Sequence, residues 1–235
     1  MQLRIFLIGT FLLLIFGLQT AVSPTQATPD IANGRILMFV AYNDVWWTEY
    51  KVAYEGLRAL GYEVDVVSSG TGEAYSYGGG VDGSIQTSFA GFEALFAANF
   101  GTAWNASWTA QDRIPLNGRI QDISNLDNYE AIVIPGGKGA VAYQYDGSYA
   151  DQSPEAAPGT HVSPAADVQT AAEKLNQLIN IALQEGKPVG AQCHGAPLVA
   201  FARIDGTAGA GFDGLGTSVL AGKYATGYAL PDGTV

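Results

Sequence analysis

Val189-Gly-Ala-Gln-Cys-His-Gly-Ala-Pro197 reads as a short apolar strand running into a tight turn and then a helix. At its centre stands Cys193, the single cysteine in 235 residues. A thiol where a strand ends and a helix begins meets unpaired backbone N–H groups and the positive end of the helix dipole, and both favour the thiolate. Gly190 and Gly195 flank it without a Cβ, as a sharp turn projecting its apical side chain requires. The expectation is a nucleophile elbow. The plain alternative is a free cysteine packed as a small hydrophobe.

Working outward, residues 167–185 carry Val168, Ala171, Ala172, Leu175, Leu178, Ile179 and Ala182 at helical spacing, with Gly186 as a stop, and deliver the chain into the strand 187–192. Upstream, 130–134 is an apolar strand ending in Pro135-Gly-Gly-Lys-Gly139. Gly136 and Gly137 read as backbone oxyanion donors or as a plain tight turn, because a phosphate loop would need a different glycine-lysine spacing. Two further strands, 35–41 and 62–68, are apolar along their length rather than alternating, the pattern of a parallel sheet covered on both faces. Tyr42-Asn-Asp44 supplies turn and capping residues, and a helix over about 46–60 joins the two strands into a right-handed β-α-β unit.

On that helix Glu49, Val52, Ala53, Gly56, Leu57 and Leu60 fall on one stripe, so a carboxyl group in the first turn faces the sheet. Glu49 is either a helix-capping acid or a catalytic carboxyl group with a raised pKa.

The remainder is less regular. Residues 70–83 read as loop, 89–100 as a short helix, 114–120 as a strand, 142–166 as a polar loop or lid, 196–203 as a helix, 206–216 as a glycine-rich loop and 223–230 as a strand. Trp46, Trp47, Trp104 and Trp108 either rim a pocket or anchor loops. Asn105-Ala-Ser107 fits a glycosylation sequon. His161 is a lone loop histidine, and two histidines in the chain give no support to a metal site.

A net charge of −11 and the absence of any Lys/Arg cluster exclude a nucleic-acid partner. Arg4, the apolar run 5–18 and the small, polar segment 21–27 read as a secretory signal peptide over 1–27, leaving one α/β domain over 28–235. The chain would then be secreted or periplasmic, or membrane-anchored if the segment is uncleaved. An α/β domain ending on a strand and a loop reads as truncated near Val235.

Taken together, the strand and helix with Glu49, the strand with Ile134-Pro-Gly-Gly137 and the strand with Ala191-Gln-Cys-His-Gly195 resemble the ThiJ/PfpI superfamily, relatives of the class I glutamine amidotransferases. The resemblance covers 35–68 and 128–227. It implies a flavodoxin-like three-layer sandwich with a mostly parallel central sheet and insertions. It also implies Cys193 as nucleophile, Glu49 as the acid that hydrogen-bonds the thiol, and His194 as the adjacent histidine of the protease-like and glyoxalase-like subgroups. Gly136 and Gly137 would form the oxyanion site with the His194 N–H, and Asp232 is the nearest candidate for a third acid. Cys193-His-Gly-Ala-Pro197 carries one residue more than the familiar Cys-His-Gly-Pro. The implied activity is cysteine-dependent chemistry on a small-molecule carbonyl or a peptide/amide substrate, without a cofactor. A homo-oligomer, in which a neighbouring subunit completes the site, is compatible with the resemblance. The rival readings are a stress or redox-sensing protein that uses Cys193 oxidation and a binding module on the same fold.

Overall fold

A computed structural model describes residues 33–77, 92–105, 113–145, 165–204 and 216–223. The signal segment, Trp108, Ser107 of the sequon, His161, Asp232 and most of the strand expected over 223–230 lie outside the described residues.

The central sheet has five parallel strands in the order β6-β3-β1-β7-β8: β1 (Arg35–Phe39), β3 (Glu63–Ser68), β6 (Gly118–Arg119), β7 (Ala131–Ile134) and β8 (Val189–Ala191). Ile36, Leu37, Met38 and Phe39 are all buried, which requires cover on both faces and accounts for the unbroken apolar run. The helix α1 (Trp47–Ala59) links β1 to β3 in one direction along the sheet. The helix α3 (Ala165–Gln184) precedes β8 and follows β7, stepping in the opposite direction. Right-handed crossovers running opposite ways set the two helices on opposite faces, giving an α/β sandwich of the flavodoxin type. Every α3 residue predicted to face the sheet, from Val168 to Ala182, is buried. Gly186 ends α3 with φ +72°, and the Lys187 N–H closes back on the Ala182 carbonyl at 2.8 Å.

The structure corrects several expectations. Residues 73–77 form a strand, β4 (Glu73–Tyr77), inside the stretch expected to be loop. It joins β2 (Val45–Trp46) and β5 (Arg113–Pro115) in a second, three-stranded sheet. The strand expected over 114–120 is broken into β5 and β6, because Asn117 turns its side-chain oxygen to the Val66 N–H (2.8 Å) and its own N–H to the Val66 carbonyl (2.7 Å). Asp44 does not cap α1: β2 intervenes, Trp46 takes the cap position, and no side-chain cap bond forms. Leu60 is 44 % exposed rather than facing the sheet, since α1 has already ended. The helix after the elbow, α4 (Ala196–Ala200), stops short of Arg203, which turns into a bridge with Ser218.

The short helix α2 (Phe92–Phe100) packs on α1, where the missing Cβ of Gly56 admits the Phe100 ring. Trp104 is buried edge-on against Phe96, with ring centroids 5.1 Å apart, and Trp47 is buried against Tyr50. Both are packing anchors. Among the described residues no helix is long and apolar enough to cross a membrane.

Candidate active site

In a parallel sheet of this order, ligands meet the carboxyl ends of the strands where the strand order reverses, here between β1 and β7. Three segments converge at that edge: the first turn of α1 with Glu49, the β7 exit Pro135-Gly136-Gly137, and the β8 exit Gln192-Cys193-His194.

The elbow is a single 3-10 turn, Cys193–Gly195, closed by the Gly195 N–H on the Gln192 carbonyl (2.8 Å). Cys193 has φ +50°, an uncommon conformation for a residue with a Cβ. A Cβ at Gly195 would lie 2.5 Å from the Ile134 carbonyl oxygen, so only glycine lets the turn press against the end of β7. The Gln192 N–H donates to the same Ile134 oxygen at 3.2 Å.

Gly136 is required by the same crowding. A Cβ there would collide with Glu49 Oε2 and lie 2.6 Å from Cys193 Cβ and 3.0 Å from the Gln192 carbonyl oxygen. Gly137 has φ +123°, and a Cβ on it would strike the Asp44–Trp46 backbone. The glycines thus let the β7 exit pass between α1 and the elbow. We expect Gly136→Ala to cost about 1–3 kcal/mol of stability by overpacking. Urea denaturation measures this, with slower reaction of Cys193 with a neutral thiol reagent as the local signature.

Glu49 is half-buried, and its Oε2 is fully enclosed without a hydrogen bond of standard geometry. Burial pushes its carboxyl group above the ordinary carboxylate range, and the Cys193 thiol and the Gly136 amide, both close to it, offset this only in part. Burial also pushes the Cys193 thiol up, to about 11, helped by the charge of Glu49 and the hydrogen bond with it, while the amides of His194 and Gly137 pull the other way. His194 Nδ1 lies 3.2 Å from Sγ, and the imidazole tautomer decides which atom donates.

The expectation of a thiolate at a helix N-terminus is therefore corrected. The turn intervenes before a helix of only five residues, and enclosure beside a carboxylate outweighs the two amides. Enclosure and the carboxylate both favour the thiol over the thiolate. The glycine amides also divide: that of Gly136 serves Glu49 and that of Gly137 serves the sulfur, together with His194. Cys193, His194, Glu49, Gly136 and Gly137 are thus brought together.

One neighbour is nearly silent in the sequence. Gln192 donates from Nε2 to the Glu49 carbonyl oxygen at 3.2 Å, and its only outward sign is a long polar side chain at the end of an apolar strand.

No family model matches the sequence, and no curated protein matches it. Solved structures do. A ThiJ/PfpI domain protein from Brachyspira murdochii is 14 % identical with a TM-score of 0.44, the match covering 74 % of this chain and 66 % of that one. DJ-1beta of Drosophila melanogaster is 14 % identical at 0.41, covering 71 % and 59 %, and glyoxalase III from Candida albicans is 19 % identical at 0.37, covering 71 % and 59 %. The chain spans about two thirds of the length of the first and 59 % of each of the others. In structure the chain is similar to proteins described as ThiJ/PfpI and DJ-1 superfamily members.

Proposed function

We propose that this chain is an exported cysteine-dependent enzyme acting on a carbonyl carbon, with Cys193 as nucleophile, Glu49 as proton acceptor and His194 as a second proton carrier. The observation that carries the reading is the enclosed Glu49 carboxyl group beside the Cys193 thiol, with the amides of Gly137 and His194 directed at the sulfur. Export rests on the apolar run 5–18 behind Arg4.

A thiol held in its protonated form needs a base at the moment of attack, and a carboxylate with a raised pKa is a competent one. As sulfur bonds to the carbonyl carbon, the C=O π pair moves to oxygen and the thiol proton passes to Glu49. Glu49 then returns it to the oxygen, leaving a neutral hemithioacetal. For an α-oxoaldehyde, Glu49 next takes the proton from the former aldehyde carbon, whose C–H pair forms the C=C bond of an enediolate. Glu49 returns that proton to the neighbouring carbon while the hydroxyl proton of the former aldehyde passes to the neighbouring oxygen, which leaves a 2-hydroxy thioester. Water cleaves the thioester to a 2-hydroxy acid and frees the thiol. The sum is aldehyde plus water to hydroxy acid, with no external oxidant.

Addition to an aldehyde has no leaving group, so one proton carrier beside the sulfur serves it. Amide cleavage must also protonate a departing nitrogen, a task for which His194 Nδ1, 3.2 Å from the sulfur, is the available group. A half-buried thiol whose pKa is pushed up by its enclosure weighs against an oxidation sensor, since such cysteines are exposed and low in pKa.

The test is product identity with the unmodified protein. Methylglyoxal converted to lactate, with Cys193 carrying a transient adduct in rapid-quench mass spectrometry, is the expected result. Cleavage of peptide or simple amide substrates with no action on methylglyoxal would move the reading to amide hydrolysis. Inertness toward both would overturn it.

A further inference from the structure

Glu49 Oε2 has no hydrogen bond of standard geometry, and the groups that act on the carboxyl group, the Cys193 thiol and the Gly136 amide, belong to the site itself. Its position relative to the sulfur depends also on the backbone it stands on, the first turn of α1. That turn has no side-chain cap. Two ties fix it to the strand exits instead. The Trp46 N–H donates to the Gly136 carbonyl at 3.2 Å, and Gln192 Nε2 donates to the Glu49 carbonyl at 3.2 Å.

The second tie joins the residue that bears the acid to the residue immediately before the nucleophile. Gln192 is itself firmly seated, with its N–H on the Ile134 carbonyl and its own carbonyl taking the Gly195 N–H. It is extended, at φ −138° and ψ 159°, in the register of β8. A displacement of the elbow is thus transmitted to Glu49, and the two reacting groups move together.

We infer that Gln192 is a positioning residue: its side-chain amide clamps the first turn of α1 to the elbow and so sets the separation of the Glu49 carboxyl group from the Cys193 sulfur. The inference rests on the reading of Glu49 as the proton acceptor. The titratable groups facing the thiol are Glu49 from α1 and His194 on its own turn, and the titratable group facing Glu49 is Cys193.

The consequence is a matter of distance. An ionised Glu49 raises the thiol pKa, so releasing the clamp and letting the carboxylate retreat lowers it. A retreat of ~1 Å from a ~4 Å separation, at an effective dielectric of ~20, lowers the thiol titration by roughly half a pH unit, or about threefold faster alkylation near pH ~9. A glutamine that only packed or stabilised the strand would change the melting temperature and leave that titration alone.

The experiment is the rate of iodoacetamide alkylation of Cys193 against pH in four proteins: wild type, Gln192→Met, Glu49→Gln and the double variant. Glu49→Gln is expected to move the titration down, Gln192→Met to move it in the same direction by less, and the double variant to coincide with Glu49→Gln. If Gln192→Met superimposes on wild type while Glu49→Gln shifts, the clamp is overturned and the reading of Glu49 stands. An equal shift in both backgrounds would show Gln192 acting on the thiol directly and would overturn the clamp. If Glu49→Gln itself superimposes on wild type, both fall. Should Gln192→Met fail to fold by its melting profile, Gln192→Asn, one methylene too short to reach the carbonyl, takes its place with the same expected and overturning outcomes.

Discussion

Cys193→Ala is expected to lower turnover of an α-oxoaldehyde by roughly 10³-fold or more while the melting temperature stays near that of wild type. Removing the sulfur removes the bond-forming atom, and neither Glu49 nor His194 can replace it. Stability is spared because alanine keeps the Cβ, and the φ of +50° strains alanine as it strains cysteine. Cys193→Gly sharpens the point. It should be equally inactive yet more stable than Cys193→Ala by about 0.5–1 kcal/mol, since glycine adopts that conformation without a steric penalty. A steady-state assay beside thermal and urea denaturation separates the two effects. An alanine variant that kept its turnover would end the assignment of the nucleophile, and a glycine variant no more stable than alanine would end the claim of strain at the elbow.

That strain was only partly legible in the sequence. Gly190 and Gly195 marked a sharp turn around Cys193, and the apolar runs at 35–41, 62–68, 130–134 and 187–192 became β1, β3, β7 and β8 in a parallel sheet. Continuous burial leaves a signal in composition, and so does a helix such as α3, whose apolar stripe is unbroken. Glu49 was legible by counting, because one charged residue on such a stripe stands out. The strand β4 was not. Its Glu-Ala-Tyr-Ser-Tyr sequence sits among glycines and serines, and pairing with β2 and β5 rather than local preference makes it a strand. The state of the thiol was also beyond the sequence. A cysteine before a helix is ordinarily acidified, and the opposite holds here because the thiol is enclosed and because Glu49, distant in the chain, is pressed against it across Gly136. Gln192 was marked only as a polar side chain ending an apolar strand, since a hydrogen bond across 143 positions follows from the fold alone.

Glu49→Gln is expected to pull thiol reactivity and turnover apart. With the carboxylate gone, the thiol loses a charge and a hydrogen bond that raise its pKa, so Cys193 should alkylate faster at mildly alkaline pH. Turnover should nevertheless fall by about 10²–10⁴-fold, the usual contribution of a positioned proton acceptor. A more reactive cysteine in a slower enzyme is the signature of a base, and a group that merely tuned the thiol would move both rates the same way. Stability supplies an independent check, and its sign follows from the direction of the shift. Burial raises the folded-state pKa of Glu49 above the unfolded value, so below the unfolded value the carboxyl group is neutral in both states and matches glutamine. As pH rises through the folded value, the wild type loses stability by ionising an enclosed group, and the glutamine variant does not. Glu49→Gln should therefore melt near wild type in acid and above it at neutral pH. Melting curves across that range, beside alkylation and turnover on the same samples, measure all three effects. If the variant melts below wild type at neutral pH, the carboxylate is held by partners stronger than its enclosure, and its place as the proton acceptor is lost.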